Sequence, residues 1–389
     1  MPNPMRVVNC IPMVRSGSVT VMARDMGRAL RTLGMDVMDL EYLPGGRIPR
    51  TLPRFLDWLS KSTDGGLLVD INGVVVTSDL VARATRERPG TFKCFTFLTD
   101  TPLCFNDRLR EWPEKAIVGL VDRSFEELVE FMRYQRPQFT FFPHGGPPVD
   151  WPSVPTSERN IDILFVGNLA SVEPPTNHAE MLYGDNVELI KLFLTSLEAL
   201  VPNQTPFETC RRSALAKSGV YTRNNVGLVA THLELYLSNV SRQKVLSSLE
   251  GLEVTVTGNV MEDAFDPKTG ITARGFQPFE ACLDLMRQAK VVLNVSPGFP
   301  NGGHERIFYA LSQGAAVMTT ESTFLADDRG AHGFVEFFDI TARDAREKLI
   351  QLLADLDQGT LDRDAMLAHY EGQHTWRHRL EPVLVQVRR

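Results

Sequence analysis

The 389-residue sequence predicts an α/β protein of two Rossmann-like units, each a parallel sheet flanked by helices, facing each other across a cleft. Three observations carry this expectation. Apolar, β-branched runs alternate with helical periodicity along most of the chain. Pro147, Pro148, Pro152 and Pro155 crowd nine residues, too densely for a helix or a central strand, and so mark a linker. The length also exceeds what one ordinary core supports and suits two domains.

The first domain is expected over 1–146. Residues 6–10 read as a buried strand. Residues 21–33 follow as a helix with Met22, Met26, Ala29 or Leu30, and Leu33 on one face, stopped by Gly34. Further strands are expected at 36–40, 66–71, 92–98, 116–120 and 140–142, with helices near 53–60, 78–85 and 124–132. After the linker (147–158), the second domain spans 159–372 and opens with a strand at 161–166. A helical insert occupies 170–250, with Pro202 and Pro206 breaking its main run at 186–249. Strands resume at 254–257, 271–273, 291–295, 315–320 and 335–338. The tail from Ala342 reads as helical, and 373–389 as a helix crossing back to the first domain.

Composition narrows the class. With 43% apolar and 23% charged residues the chain has the make-up of a globular enzyme. A formal charge of −7 without a Lys/Arg block argues against a nucleic-acid partner. Five widely spaced cysteines (Cys10, Cys94, Cys104, Cys210, Cys282) form no Cys-x-x-Cys pair and read as reduced thiols. No apolar leader and no stretch of membrane-spanning length is evident, so a cytoplasmic location without a transmembrane segment is expected. The run 374–389 mixes Trp376, Leu380, Val383 and Val385 with arginines and histidines. It suits either a peripheral contact with an acidic membrane or packing across the domain junction, with Pro382 expected to interrupt it.

The most informative stretch is 296–321, where Ser296-Pro297-Gly298-Phe299-Pro300-Asn301-Gly302-Gly303 leads into His304-Glu305-Arg306 and a short helix ended by Gly314. Strand, glycine-rich turn and helix start together make a natural phosphate seat, because the first helical N–H groups are unpaired and carry the positive dipole end. Arg306 adds charge where the dipole alone disfavours it, which an anion between them would offset. Other loops expected at the carboxyl ends of strands are Ser16-Gly17-Ser18, Asp70-Ile71-Asn72-Gly73, Thr99-Asp100-Thr101-Pro102 and Pro143-His144-Gly145-Gly146. From the second half come Gly167-Asn168, Gly258-Asn259 and Arg274-Gly275-Phe276.

The block Gly302-Gly303-His304-Glu305-Arg306-Ile307-Phe308-Tyr309-Ala310-Leu311-Ser312-Gln313-Gly314, followed by Thr319-Thr320-Glu321-Ser322, resembles GT-B-fold glycosyltransferases of the glycosyl transferases group 1 kind. The nearest branch is the spore-maturation-type and protein-modifying one. Supporting pieces are Ile163-Leu164-Phe165-Val166-Gly167-Asn168, Phe142-Pro143-His144-Gly145 and His374-Thr375-Trp376-Arg377. The resemblance implies metal-independent transfer of a sugar from a UDP- or GDP-sugar to a protein or glycan acceptor, with retention favoured. The nucleotide-sugar is a substrate held by the second domain, and no permanently bound cofactor is expected. Related retaining enzymes carry a ribose-binding Glu where this chain has Tyr309. Either Glu305 takes that role, or the donor sits differently, or transfer activity is lost and the protein is a nucleotide- or glycan-binding relative. A nucleotide-sugar epimerase is a third reading.

Glycosyl transfer builds charge on the departing diphosphate, so donors must point at it. Arg306, the N–H groups of 302–305 and Ser296 fit that duty, and Arg242 reaches from the second side. His304 is either a ligand to phosphate or sugar or a packed turn residue. Glu305 is either a ribose ligand or an acid stabilising a helix start. Gly167, Asn168, Gly258 and Asn259 allow close backbone approach, Phe276 lies near the base or in the core, and Thr320 and Glu321 are sugar or ribose contacts. Asp100 and His144 are candidate bases for the acceptor proton. Asp362-Arg363-Asp364 matches a metal-binding Asp-x-Asp but sits in a helical tail and reads as surface charge. Gly-x-Ser-x-Gly, the P-loop and Gly-x-Gly-x-x-Gly patterns are absent.

Overall fold

A computed structural model describes residues 4–14, 17–43, 50–61, 65–110, 112, 116–134, 137–150, 152, 154–200, 204–217, 220–261, 270–326, 333–339 and 343–388. Of the residues named above, Ser16, Pro202 and Ala342 lie outside these, as do residues 151 and 153 of the linker and 389 of the tail.

The described strands form two six-stranded, wholly parallel sheets. The first holds β1 (Arg6–Pro12), β2 (Asp36–Tyr42), β3 (Gly66–Ile71), β4 (Phe92–Leu98), β5 (Ile117–Leu120) and β6 (Gln138–Phe141) in the order β2-β1-β3-β4-β5-β6. Its helices are α1 (Ser18–Thr32), α2 (Leu52–Ser60), α3 (Asp79–Glu87), α4 (Asn106–Arg110) and α5 (Phe125–Met132). The inner strands are near-continuous apolar runs because both faces are covered, and every residue of β3 and β5 is buried, whereas the edge strand β2 is largely exposed.

The second sheet holds β7 (Ile161–Val166), β8 (Val254–Thr257), β9 (Ile271–Ala273), β10 (Ala289–Asn294), β11 (Ala316–Thr320) and β12 (Val335–Phe338), ordered β12-β11-β10-β7-β8-β9. From β7 the chain steps outward through β8 and β9, then returns to build β10 to β12 on the other side. The order therefore reverses between β7 and β10, and a crevice opens beyond their carboxyl ends, where ligands of doubly wound sheets bind.

Between β7 and β8 lie α6 (Pro175–Tyr183), α7 (Val187–Glu198), α8 (Pro206–Leu215) and α9 (Arg223–Ser248). The helical run is broken at Pro206, as the sequence suggested: α7 ends at Glu198 and Pro206 opens α8 at N1, where its missing N–H costs nothing, beside a Thr205–Glu208 capping box. This insert leans on the first domain. Phe207 meets Phe131 edge-on at 5.4 Å, Arg211 pairs with Glu127 at 3.7 Å, and the Arg110 guanidinium donates to the Asn224 Oδ1 at 2.6 Å.

After α10 (Phe279–Gln288) and α11 (Glu305–Ser312), the tail forms α12 (Ala345–Asp357), α13 (Arg363–Gln373) and α14 (Trp376–Arg388). Helix α14 runs through Pro382 rather than stopping there, because Trp376, Leu380, Val383, Leu384 and Val387 are all buried and hold it in place. It packs on α1, and Trp376 stands edge-on to Phe97 at 5.6 Å. Of the apolar side chains proposed for a membrane contact, only Val385 is exposed. Among the described residues no helix is long and apolar enough to cross a membrane. The Asp-x-Asp run is not mere surface charge. Asp362 caps α13, and Arg363 donates to the carbonyls of Gly314 and Val154 and to the Thr156 hydroxyl, tying the linker to the second domain.

Three elements meet at a buried polar knot. The Tyr309 hydroxyl of α11 donates to the Asp25 carboxylate of α1 at 2.7 Å and accepts from the Trp376 indole N–H of α14 at 3.3 Å. Burial raises the Asp25 carboxyl to about 6, opposed by the Tyr309 hydrogen bond and Arg28. A carboxyl raised on folding stabilises the native state fully below its unfolded value near 4, and that contribution disappears as pH rises through 6. The native state thus carries a cost on the order of 3 kcal/mol above pH 7. The stability difference between D25N and the native sequence, from urea melts, should shift in favour of D25N between pH 4 and pH 7; a constant difference would contradict this assignment.

Candidate functional site

The crevice is framed by three tight turns. Gly167 N–H donates to the Thr257 carbonyl at 2.9 Å, Gly258 N–H to the Gly275 carbonyl at 3.1 Å, and the Asn168 Oδ1 accepts from the Asn259 N–H at 3.1 Å. Gly258 has φ +144°, and a Cβ there would stand 2.1 Å from the Gly167 carbonyl oxygen, so only glycine lets the ends of β7 and β8 approach this closely. Asn259 is exposed, and Phe276, 50% exposed beside Gly275, stands at the rim rather than in the core.

Across the crevice, the β10–α11 loop presents Arg306. Its guanidinium donates to the Asn294 Oδ1 at 3.3 Å and faces the His304 Nε2 at 2.9 Å. The His304 Nδ1 lies 2.6 Å from a Glu305 oxygen. One tautomer satisfies both contacts: a neutral ring with Nδ1–H donating to Glu305 and Nε2 accepting from Arg306. Burial and the Arg306 charge hold His304 below its ordinary value, in agreement. Burial alone would raise Glu305, but the surrounding His304, His144 and Arg306 groups keep it ionised, well below the usual carboxylate range. Glu305 is therefore held by His304, which in turn faces Arg306.

Arg242, on α9, comes from the opposite side and donates to the Asn168 carbonyl at 3.2 Å. Burial, then the charge of Arg306, pulls it down to about 10. Its buried Nε has no hydrogen-bond partner, and no carboxylate pairs with it among the described residues. A Cβ on Gly167 would lie 3.6 Å from the Arg306 guanidinium, so both arginines converge on the Gly167-Asn168 turn. Lys244, two residues on, is exposed.

Several expected ligands turn elsewhere. Gly302 makes an antiparallel bridge with Asp122 of the first domain, and a Cβ there would meet the Val121 carbonyl oxygen at 2.3 Å. The Gly303 Cβ position faces Phe308. These glycines seat the loop on the first domain and on its own helix; Asp122 fixes it by accepting from the Asn301 N–H at 2.8 Å. Tyr309, 0% exposed, points to Asp25, away from the crevice. Its side chain serves the domain junction, so the ribose position inferred from the resemblance is not where this residue lies. Ser296 and Thr320 are buried and bond within the loop, the Thr320 hydroxyl donating to the Ser296 carbonyl at 3.1 Å and the Ser296 hydroxyl to the Asn294 Oδ1 at 3.2 Å. Glu321 is exposed at the end of β11.

Of the two candidate bases, His144 is fully buried under Glu305, 3.9 Å away, with Nε2 facing the Thr99 carbonyl at 3.3 Å; desolvation pushes it down to about 4. It is a neutral support beneath the cleft floor and does not reach its surface. Asp100 does. Solvent reaches its carboxylate, yet crowding by the cleft walls, then the Glu305 charge, raises it. A second carboxyl escaped the sequence reading: Glu234 of α9, half-buried, whose head lies against Gly298 of the β10–α11 loop. Its one sequence signal is its place eight residues before Arg242 on the same helix. The weak amphipathic pattern of α9 concealed which face looks inward.

Residues 242–384 match the model of a family described as "Glycosyl transferase-like". Over the whole chain the fold is that of solved GT-B structures. One is an alpha-glucosyltransferase in complex with UDP-glucose and DNA containing an abasic site, 10% identical, with 99% of this chain and 100% of that chain covered and a TM-score of 0.56. Another is an alpha-glucosyltransferase in complex with UDP and a 13-mer DNA containing a HMU base, 10% identical, with 99% of each chain covered and a TM-score of 0.55. The sucrose-phosphate synthase of Thermosynechococcus elongatus is 12% identical, with 99% and 98% covered and a TM-score of 0.48. No curated protein matches the chain.

The turn geometry gives a direct test. Gly258→Ala should lower stability by about 1–3 kcal/mol, because it forces a Cβ against the Gly167 carbonyl at a φ disfavoured for L-residues. Chemical denaturation reads this, and an unchanged midpoint would show that the turn relaxes freely.

Proposed function

We propose that this protein is a glycosyltransferase that takes its sugar from a nucleoside-diphosphate sugar, UDP- or GDP-linked, bound in the β7/β10 crevice. The observation that carries this reading is the convergence of Arg242 and Arg306 on the Gly167-Asn168 turn, where burial and the Arg306 charge depress Arg242, which is left without an anion. A diphosphate between them would satisfy both and would share the amino end of α11. The match of 242–384 to a glycosyltransferase-like family, and solved neighbours of the same fold that bind UDP or UDP-glucose, support it.

In this reading the arginines neutralise the leaving group and no metal is needed. Phe276 and Asn259 stand at the rim where the base would lie, and Asp100 faces the sugar from the first domain. The acceptor is a hydroxyl of a protein or glycan, and the net charge of −7 speaks against the DNA found with some neighbours. A cytoplasmic setting fits a donor of this kind. Stereochemistry divides the reading in two. Retention, with the departing phosphate taking the acceptor proton, follows from the family resemblance. Inversion needs a carboxylate across the sugar, and Asp100 and Glu234 stand on that side.

Calorimetry with UDP and GDP tests the seat. One of them should bind, and at ~100 times its Kd should stabilise the protein by about 2.7 kcal/mol. Arg306→Ala and Arg242→Ala should each weaken binding by roughly 10- to 100-fold, with Arg306→Lys recovering only part, since a lysine cannot reproduce the planar fork. Unchanged binding in both alanine variants would overturn the seat.

A further inference from the structure

The described acidic and nucleophilic side chains used neither by the donor seat nor by the domain junction include one that hangs into the cleft from the insert. We propose that Glu234 takes the proton from the acceptor hydroxyl as that oxygen attacks the anomeric carbon from the side opposite the diphosphate. This rests on the glycosyltransferase reading above and adds to it a reacting group from the helical insert.

The placement comes from one helix. Near its start, α9 is fastened to the first domain by Asn224, which accepts from Arg110, and by Gly227, whose bare Cα lies against Leu103. Near its end, Arg242 reaches the donor turn through the Asn168 carbonyl. Glu234 sits eight residues earlier, about 12 Å back along the axis and about 80° round it, so both side chains project from the same half of the helix. A row of guanidinium, phosphate oxygen, anomeric carbon, attacking oxygen and carboxylate, at about 3 Å per contact, spans roughly that length.

The Glu234 head is also fixed. A Cβ on Gly298 would fall 2.3 Å from its Oε1, so the carboxylate rests directly on the backbone of the loop that carries Arg306. Among the described residues its carboxylate makes no hydrogen bond or ion pair. The titratable groups that face it are Asp100 after β4, Asp122 after β5 and Cys104 in the 3-10 turn Pro102–Phe105. None is a cation. Burial, then the charges of Asp100 and Asp122, raises Glu234 to about 8, which suits a proton acceptor working near neutral pH. In the step, the acceptor oxygen forms a bond to the anomeric carbon as the bond from that carbon to the phosphate oxygen breaks. The electron pair leaves on the nucleoside diphosphate, and the hydroxyl proton passes to the Glu234 carboxylate.

Water serves as the acceptor in the test. UDP-α-glucose hydrolysis is followed by UDP release, and the anomer first formed is read by proton NMR; UDP binding is measured separately by calorimetry. The native protein should release β-glucose with a rate that climbs with pH through about 8. Glu234→Gln should bind UDP as the native protein does, which also shows that it folds, yet hydrolyse at least 100-fold more slowly and lose the rising limb. Glu234→Asp should recover part of the rate. A Glu234→Gln variant that keeps the rate or the limb, a limb lost instead in Asp100→Asn, or α-glucose as first product would overturn the role of Glu234 while leaving the glycosyltransferase reading in place. With GDP-α-glucose run in parallel, a native protein that binds neither UDP nor GDP, or that binds one of them but never releases it from its sugar nucleotide, would overturn both.

Discussion

Two like charges brought together at the end of β7 set the terms for the rest of this molecule. Arg306 and Arg242 are both partly desolvated, and in a medium less polarisable than water their repulsion is costly. The protein offsets it unevenly. Arg306 has Asn294, a neutral His304 and the Glu305 charge, whereas Arg242 has one carbonyl and an unpaired Nε. In the proposed function a diphosphate supplies the charge that Arg242 lacks. Its location at the point where the strand order reverses follows from connectivity, since helices on the two sides of a reversal diverge.

The second domain does not build this cleft alone. Asp122 grips the β10–α11 loop from the first domain, Tyr309 ties α11 to α1 and α14, and the insert returns along α9 to the 3-10 turn and α5. These contacts fix how far Asp100 stands from Arg306. Rigid support of this kind matters for group transfer, where misplacement by about 1 Å costs two orders of magnitude. The junction sets buried carboxyls and aromatic rings beside the apolar face of α14, so directional bonds add to packing in specifying the orientation of the two domains.

The strand pattern was legible because parallel strands buried on both faces are written as plain apolar runs; half of the expected strands coincide with the observed ones and the rest differ by one or two residues at one or both ends. The insert was legible only as helical, since α9 touches several surfaces and presents no single apolar stripe. Within the site, Arg306 could be found from its local turn. The fates of Gly302 and Tyr309 could not, because each is decided by a partner far away in sequence: Asp122 for one, Asp25 for the other. A glycine required for close approach looks the same in sequence whether its neighbour is a phosphate or a carbonyl. Glu234 was missed for the same reason. Its meaning comes from Gly298 and Asp100, 64 residues downstream and 134 upstream.

The most direct measurement is a crystal structure with UDP bound. The account expects the diphosphate between the Arg242 and Arg306 guanidiniums, against the Gly167-Asn168 turn, with the uracil toward Phe276. Density for the diphosphate anywhere else, with the two arginines still facing each other across an unfilled gap, would contradict it.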